Sequence, residues 1–303
     1  MTLPHFFIIG APKAGTTALY RCLRQHPGIF LSTVKEPFFF AFKGEPPLFA
    51  GPGGDVFRRM SVWRKGDYLG LYADARKNQI CGEASTLYLG SALAAQRIRR
   101  NIPNAKLIAI LRQPAERAYS HFLYWRFNRC MEPLASFSEA LGQENMRRRA
   151  NWSSDFFYRA HGYYHAQFRI YYDLFPREQI KIHLFEDWST APQSVLRDIF
   201  QFLGVNEDFM PAIERTNVSE YQRIRALHRW LTPTTRMERP LRYMPEGTRR
   251  RIISLLRTLN FKYNRIPPPP LDPKIRHELT AGYRNDILML QDLIGRDLSH
   301  WLQ

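Results

Sequence analysis

The chain has 303 residues, 45% of them apolar, and a formal net charge of +17 from 44 Lys+Arg against 27 Asp+Glu. That length and apolar content suit one large α/β domain and exclude wholesale disorder, while the surplus charge calls for an anionic partner: nucleic acid, a membrane surface or a small polyanionic cofactor. Cys22, Cys81 and Cys130 are too few and too scattered for a disulfide scaffold or a short-spaced metal pair, and no apolar run is long enough for a spanning helix.

In chain order, the first residues carry no basic region ahead of a short apolar run, so a soluble, cytoplasmic protein is expected. Phe6–Ile9 reads as a buried strand between Pro4 and Gly10. Thr16–His26 reads as a helix closed by Pro27-Gly28, and Ile29–Leu31 as a second strand. Residues 43–66, rich in Gly, Pro and charge, read as an excursion loop. A strand is expected at Ile80–Gly82, a helix at Ser91–Asn101, and a buried strand at Lys106–Leu111. Pro114–Trp125 reads as a helix with proline in its first turn, a favoured place for it. Helical patterns follow at 136–149, 162–174 and 192–203, with a strand candidate at Ile180–Leu184. Alternation of strand and helix predicts βαβ units around a parallel sheet. Residues 206–303 read as helical and basic, with Pro267–Pro270 a stiff connector before the last helix. No composition shift divides the chain, so residues 1–303 are expected to form a single domain.

The first chemical motif is Gly10-Ala11-Pro12-Lys13-Ala14-Gly15-Thr16-Thr17, set between a predicted strand and a predicted helix. A glycine turn feeding free helix amides makes a phosphate cradle. The glycine spacing matches the Walker A pattern, but Thr16 stands where its lysine would be and Lys13 lies three residues earlier. The strand Lys106–Leu111 ends in Arg112, where a Walker B strand ends in Asp. The loop therefore reads as P-loop-like and phosphate-binding, with an ATP-dependent small-molecule kinase as the weaker alternative. A nucleic-acid-binding protein is weaker still, because neither zinc spacing nor an RNP-like aromatic motif is present.

These residues resemble the sulfotransferases that use 3′-phosphoadenosine 5′-phosphosulfate (PAPS), in their bacterial and Golgi-type heparan branch. Residues 10–17 resemble the 5′-phosphosulfate loop, and Arg112-Gln113-Pro114 with Ser120 resembles the 3′-phosphate motif. Lys35-Glu36-Pro37-Phe38-Phe39, Gly82-Glu83-Ala84-Ser85 with Tyr88, and Leu293–Trp301 are similar to further segments of that branch. The resemblance implies an α/β domain with a central parallel sheet flanked by helices. It implies PAPS as donor, no metal, and sulfuryl transfer to a hydroxyl, less readily an amine, of a small-molecule, glycan or lipid acceptor.

The resemblance also implies roles. Lys13, Ala14, Gly15, Thr16 and Thr17 would hold the 5′-phosphate, with Lys13 stabilising charge on the bridging oxygen. Arg112 and Ser120 would hold the 3′-phosphate, and a late loop carrying Arg215 and Arg223 would cover it. Glu36 is the candidate general base, with His121 its rival. Lys35 would touch the sulfuryl oxygens, and Glu83 and Tyr88 would line the acceptor pocket, although either could equally be a packing residue. Ala84 stands where heparan-type members carry lysine, which argues against a heparan-like acceptor. Residues 43–66 and 130–160 are the candidate acceptor walls. Residues 214–265 hold 13 Lys+Arg against 4 Glu, a basicity suited to steering an anionic cofactor or to contact with an anionic membrane.

Overall fold

A computed structural model describes residues 3–213, 221–222, 248, 255 and 265–303. Five strands, β1 (Phe6–Gly10), β2 (Ile29–Leu31), β3 (Ile80–Ala84), β4 (Lys106–Leu111) and β5 (Ile180–Leu184), form one parallel sheet in the order β2-β3-β1-β4-β5. All five residues of β1 are buried, as are Leu107–Leu111 of β4. That is why these strands read as continuous apolar runs: helices cover both faces of a parallel sheet.

The helices are punctuated by their own sequence. The helix α1 (Thr16–Leu23) follows Gly15, whose φ of 94° is left-handed; a Cβ there would also press on Trp188 at 3.3 Å. Helices α2 (Phe39–Phe42), α3 (Gly54–Met60) and α4 (Lys65–Gly70) come next. The predicted excursion loop therefore contains helix, because Phe57 supplies a buried anchor within the Gly- and Pro-rich stretch and Tyr68 another just beyond it. The helix α5 (Ala92–Asn101) is capped by Ser91, whose side chain accepts the Ala94 N–H. The helix α6 (Pro114–Leu123) is capped by Gln113 and has proline in its first turn. It ends in a π-helical turn, Tyr124–Asn128, a widening that periodicity does not reveal.

The predicted helix at 136–149 is two helices, α7 (Phe137–Gly142) and α8 (Glu144–Arg149), broken at Gln143. Helices α9 (Tyr164–Leu174), α10 (Phe185–Thr190) and α11 (Pro192–Leu203) follow. The last helix, α12 (Pro273–Ile294), is capped by Asp272 and ends at Gly295, whose φ is 65°. It packs on α6 and α9, and the tail behind it returns to the sheet through Gln113 Nε2 donating to the Trp301 carbonyl at 3.2 Å.

From the central strand β1 the chain runs first to one side of the sheet, then crosses to β4 and β5 on the other. The carboxyl ends of β1 and β4 therefore flank a topological switch point, the crevice where open α/β sheets place ligands. Ala11 N–H donates to the Ile110 carbonyl at 2.7 Å and ties the loop after β1 to β4 there.

Candidate active site

A cleft of about 1060 Å³ opens at this switch point. Pro12, Lys13, Gly15, Thr16 and Thr17 line it from the loop after β1, Lys35, Glu36 and Phe38 from the segment after β2, and Thr86 from the segment after β3. Arg112 lines it from the end of β4, and Ser120 and His121 from α6.

No side chain caps the start of α1, so its first amides are available to an anion. Lys13 has a φ of 67°, a strained conformation for a residue with a Cβ, and such strain gathers at functional positions. Its ammonium lies 4.5 Å from the Tyr124 ring centroid. Burial, then Arg112 and Lys35, lower the Lys13 pKa to about 8. Three cations thus converge where desolvation already disfavours charge, and an anion is what relieves them.

Arg112 Nη1 donates to the Lys13 carbonyl at 3.4 Å, its guanidinium stacks 4.9 Å from the Phe185 ring centroid, and Glu116 lies 3.8 Å away. Ser120 is 6% exposed, and its buried Oγ has no hydrogen-bond partner among the described residues. An unpartnered buried hydroxyl on the wall of a basic cleft fits an anionic ligand oxygen. The residues present therefore suit a nucleoside bisphosphate.

Glu36 is held from several sides. Lys35 Nζ donates to Oε1 at 2.6 Å, Thr86 N–H to Oε2 at 2.8 Å, and Thr86 Oγ1 lies 3.2 Å from both oxygens. Its φ is 65°. His121 is differently engaged. Its Nε2 accepts the Trp125 indole N–H at 3.0 Å, and Arg117 Nη1 lies 3.4 Å from Nδ1. Burial, then Arg117 and Lys13, hold its pKa well below the usual histidine value. The ring is neutral at working pH and its Nε2 lone pair is taken.

Glu83 and Tyr88 correct the expectation of an acceptor-lining pair. Both are fully buried behind the cleft, where Glu83 accepts from Tyr68 and Ser85, and they do not line it. Nothing in their spacing reveals this, because their burial depends on Tyr68 and Phe40 from distant segments packing over the end of β3. Ala14 is buried at the base of the loop. Arg215 and Arg223 lie outside the described residues, as does most of the basic segment 214–265.

Sequence reasoning also missed lining residues. Phe185 follows β5 directly, and the strand-end rule that singles out Arg112 would have found it. Tyr124 and Trp125 reach the cleft through the π-helical turn. Pro268–Pro270, expected only as a connector, form part of the wall, with Tyr119 OH donating to the Pro270 carbonyl at 3.3 Å.

Comparisons with known proteins identify the family. The family model described as the sulfotransferase domain matches residues 3–247. The human protein named carbohydrate sulfotransferase 15 is 30% identical over 249 residues, spanning 67% of this chain and 44% of that one. The human bifunctional heparan sulfate N-deacetylase/N-sulfotransferase 3 is 28% identical over 310 residues, spanning 99% of this chain and 31% of that one. The chain thus spans less than half the length of these relatives. The crystal structure of a sulfotransferase from Alicyclobacillus acidocaldarius matches the whole of both chains at 32% identity, with a TM-score of 0.79. With a phosphate loop, a strand-end arginine and a family model that covers most of its length, this chain belongs to the sulfotransferase family.

Proposed function

We propose that the protein transfers the sulfuryl group of PAPS to an acceptor hydroxyl by in-line displacement, with Glu36 as general base. The observation that carries this reading is the convergence of Lys13, Glu36, Arg112 and Ser120, from four separate segments, on one cleft. Bound PAPS supplies the activated sulfuryl group and leaves as the bisphosphate. The α1 amides with Thr16 and Thr17 hold the 5′-phosphate, and Arg112 with Ser120 holds the 3′-phosphate, an arginine fork suiting that oxyanion. Lys13 stabilises the charge that grows on the leaving oxygen, and Lys35 neutralises the sulfuryl oxygens.

An acceptor hydroxyl is a poor nucleophile until its proton is taken in the transition state. Glu36 is the group placed for this: it borders the cleft and its two oxygens are aimed by Lys35 and Thr86. His121, neutral but with its Nε2 lone pair occupied by Trp125, is the lesser candidate. The two expected acceptor walls both reach the cleft, Val56, Phe57 and Met60 from one and Met131 and Asp155 from the other. These walls suit a small-molecule, glycan or lipid hydroxyl, and the names of the relatives favour a glycan.

Thermal stabilisation by 3′-phosphoadenosine 5′-phosphate (PAP) against ATP-Mg tests the cofactor. Stabilisation by PAP alone is expected, and stabilisation by ATP-Mg alone would overturn the reading. A product screen with PAPS, following the mass gain of one sulfuryl group, identifies the acceptor.

A further inference from the structure

The end of β3 carries a buried polar cluster that the mechanism above does not use. Glu83 is fully buried. Ser85 Oγ donates to its Oε1 at 2.6 Å and Tyr68 OH to its Oε2 at 2.5 Å, and the buried Tyr88 hydroxyl interacts with the same carboxyl. Two of these hydroxyls face outward as well. Ser85 Oγ accepts the Phe38 N–H at 3.2 Å, and Tyr88 OH accepts the Phe40 N–H at 3.0 Å. Glu36 N–H donates to the Ala84 carbonyl at 2.9 Å. The alternate amides of residues 36, 38 and 40 are therefore all held by residues 84–88.

The segment needs such holding. Glu36 and Phe38 both adopt left-handed φ, at 65° and 57°, on either side of Pro37, which has no N–H of its own. A left-handed conformation at residues with a Cβ persists only where the surroundings over-determine it. Above about pH 7, where Glu83 is ionised and the test is run, its carboxylate suits the centre of the cluster because it only accepts. Ser85 and Tyr88 then keep their lone pairs turned toward the loop amides. An amide side chain in its place would donate to one hydroxyl, reverse it, and turn that hydroxyl's own proton toward an N–H.

We infer that Glu83 is a positioning residue that, through Ser85 and Tyr88, sets the backbone of residues 36–40 and so aims the Glu36 carboxylate into the cleft. The inference rests on the reading of Glu36 as base. Its mark is residue-specific. Ser85→Ala frees the Phe38 amide, Tyr88→Phe frees the Phe40 amide, and Glu83→Gln frees at least one of the two. None of these changes touches the phosphate loop.

The test is single-residue hydrogen exchange on the full chain, with PAP affinity and release of PAP from PAPS measured on the same variants. Exchange at the named amides is expected to rise about fivefold or more, the worth of a lost hydrogen bond, with the amides of β4 unchanged. PAP affinity stays within about twofold, and PAPS turnover falls about tenfold with its KM unchanged. Exchange at Phe38 and Phe40 that stays at the wild-type rate in Glu83→Gln overturns the inference, as does a rise spread evenly over the whole sheet. A wild type that neither binds PAP nor releases it from PAPS counts against the transfer reading instead, and the exchange pattern still decides the role of Glu83.

Discussion

Glu36 and Lys13 carry the sharpest consequences at the scale of single residues. Glu36→Gln should leave PAP affinity intact and lower turnover by about 10²–10⁴-fold, the usual contribution of a general base. Full turnover in that variant would move the base elsewhere, with His121 the next candidate. Lys13→Ala should lower turnover by about 10²–10³-fold, as the loss of an oxyanion donor does. Lys13 also predicts a proton signature. Its pKa is about 8 in the free protein, depressed by burial and two neighbouring cations. A bound bisphosphate raises it, so binding between about pH 8 and pH 9 takes up protons. The calorimetric enthalpy of PAP binding should then vary with the ionisation enthalpy of the buffer, and a buffer-independent enthalpy would contradict the placement. Glu83 leaves a mark on stability, since burial pushes it up to about 7 from an ordinary value of 4.5. Over that interval the fold holds a proton that the unfolded chain has released. Stability therefore falls as pH rises from 4.5 to about 7, then levels off, and Glu83→Gln should flatten the slope in urea denaturation.

Whole elements are braced by a few buried polar contacts. Arg147 on α8 forks onto Glu132, Nη1 to Oε2 at 2.8 Å and Nη2 to Oε1 at 2.7 Å, and Tyr158 OH donates to the same carboxylate at 2.6 Å. Both charged side chains are at most 1% exposed. The pair staples the approach to α7, helix α8 and the segment leading to Tyr158, which carries the Asp155 wall of the cleft. Removing one partner strands the other charge, so Arg147→Met should lower unfolding free energy by about 3–5 kcal/mol in urea titration. The double replacement of Arg147 and Glu132 by apolar residues should recover much of that loss. A single variant as stable as the wild type would show that the segment does not depend on the pair. None of this is visible in sequence: Glu132 and Arg147 are neither neighbours nor in register on one helix, and the segment before α7 must fold back onto α8 for them to meet.

Across the whole molecule, the sheet order decides what becomes the site. A chain with this positive surplus should draw a bisphosphate by long-range attraction, so the PAP association rate should fall several-fold from low to physiological salt while transfer from the bound state changes little. Much of that surplus lies in residues 214–265. The alternation of strand and helix, the glycine loop after β1 and the strand-end arginine are all legible before folding. Each of these is written in a short contiguous stretch whose apolar run, glycine or proline acts through neighbouring residues. Tertiary packing sets two glutamates apart by burial alone. Glu83 lies at the end of β3 and Glu36 in the segment after β2, yet α4 and the segment after β3 enclose Glu83 in tyrosines, while Glu36 is left at the cleft wall. Burial of a carboxyl depends on segments far away in the chain, and no local pattern records which of them will arrive.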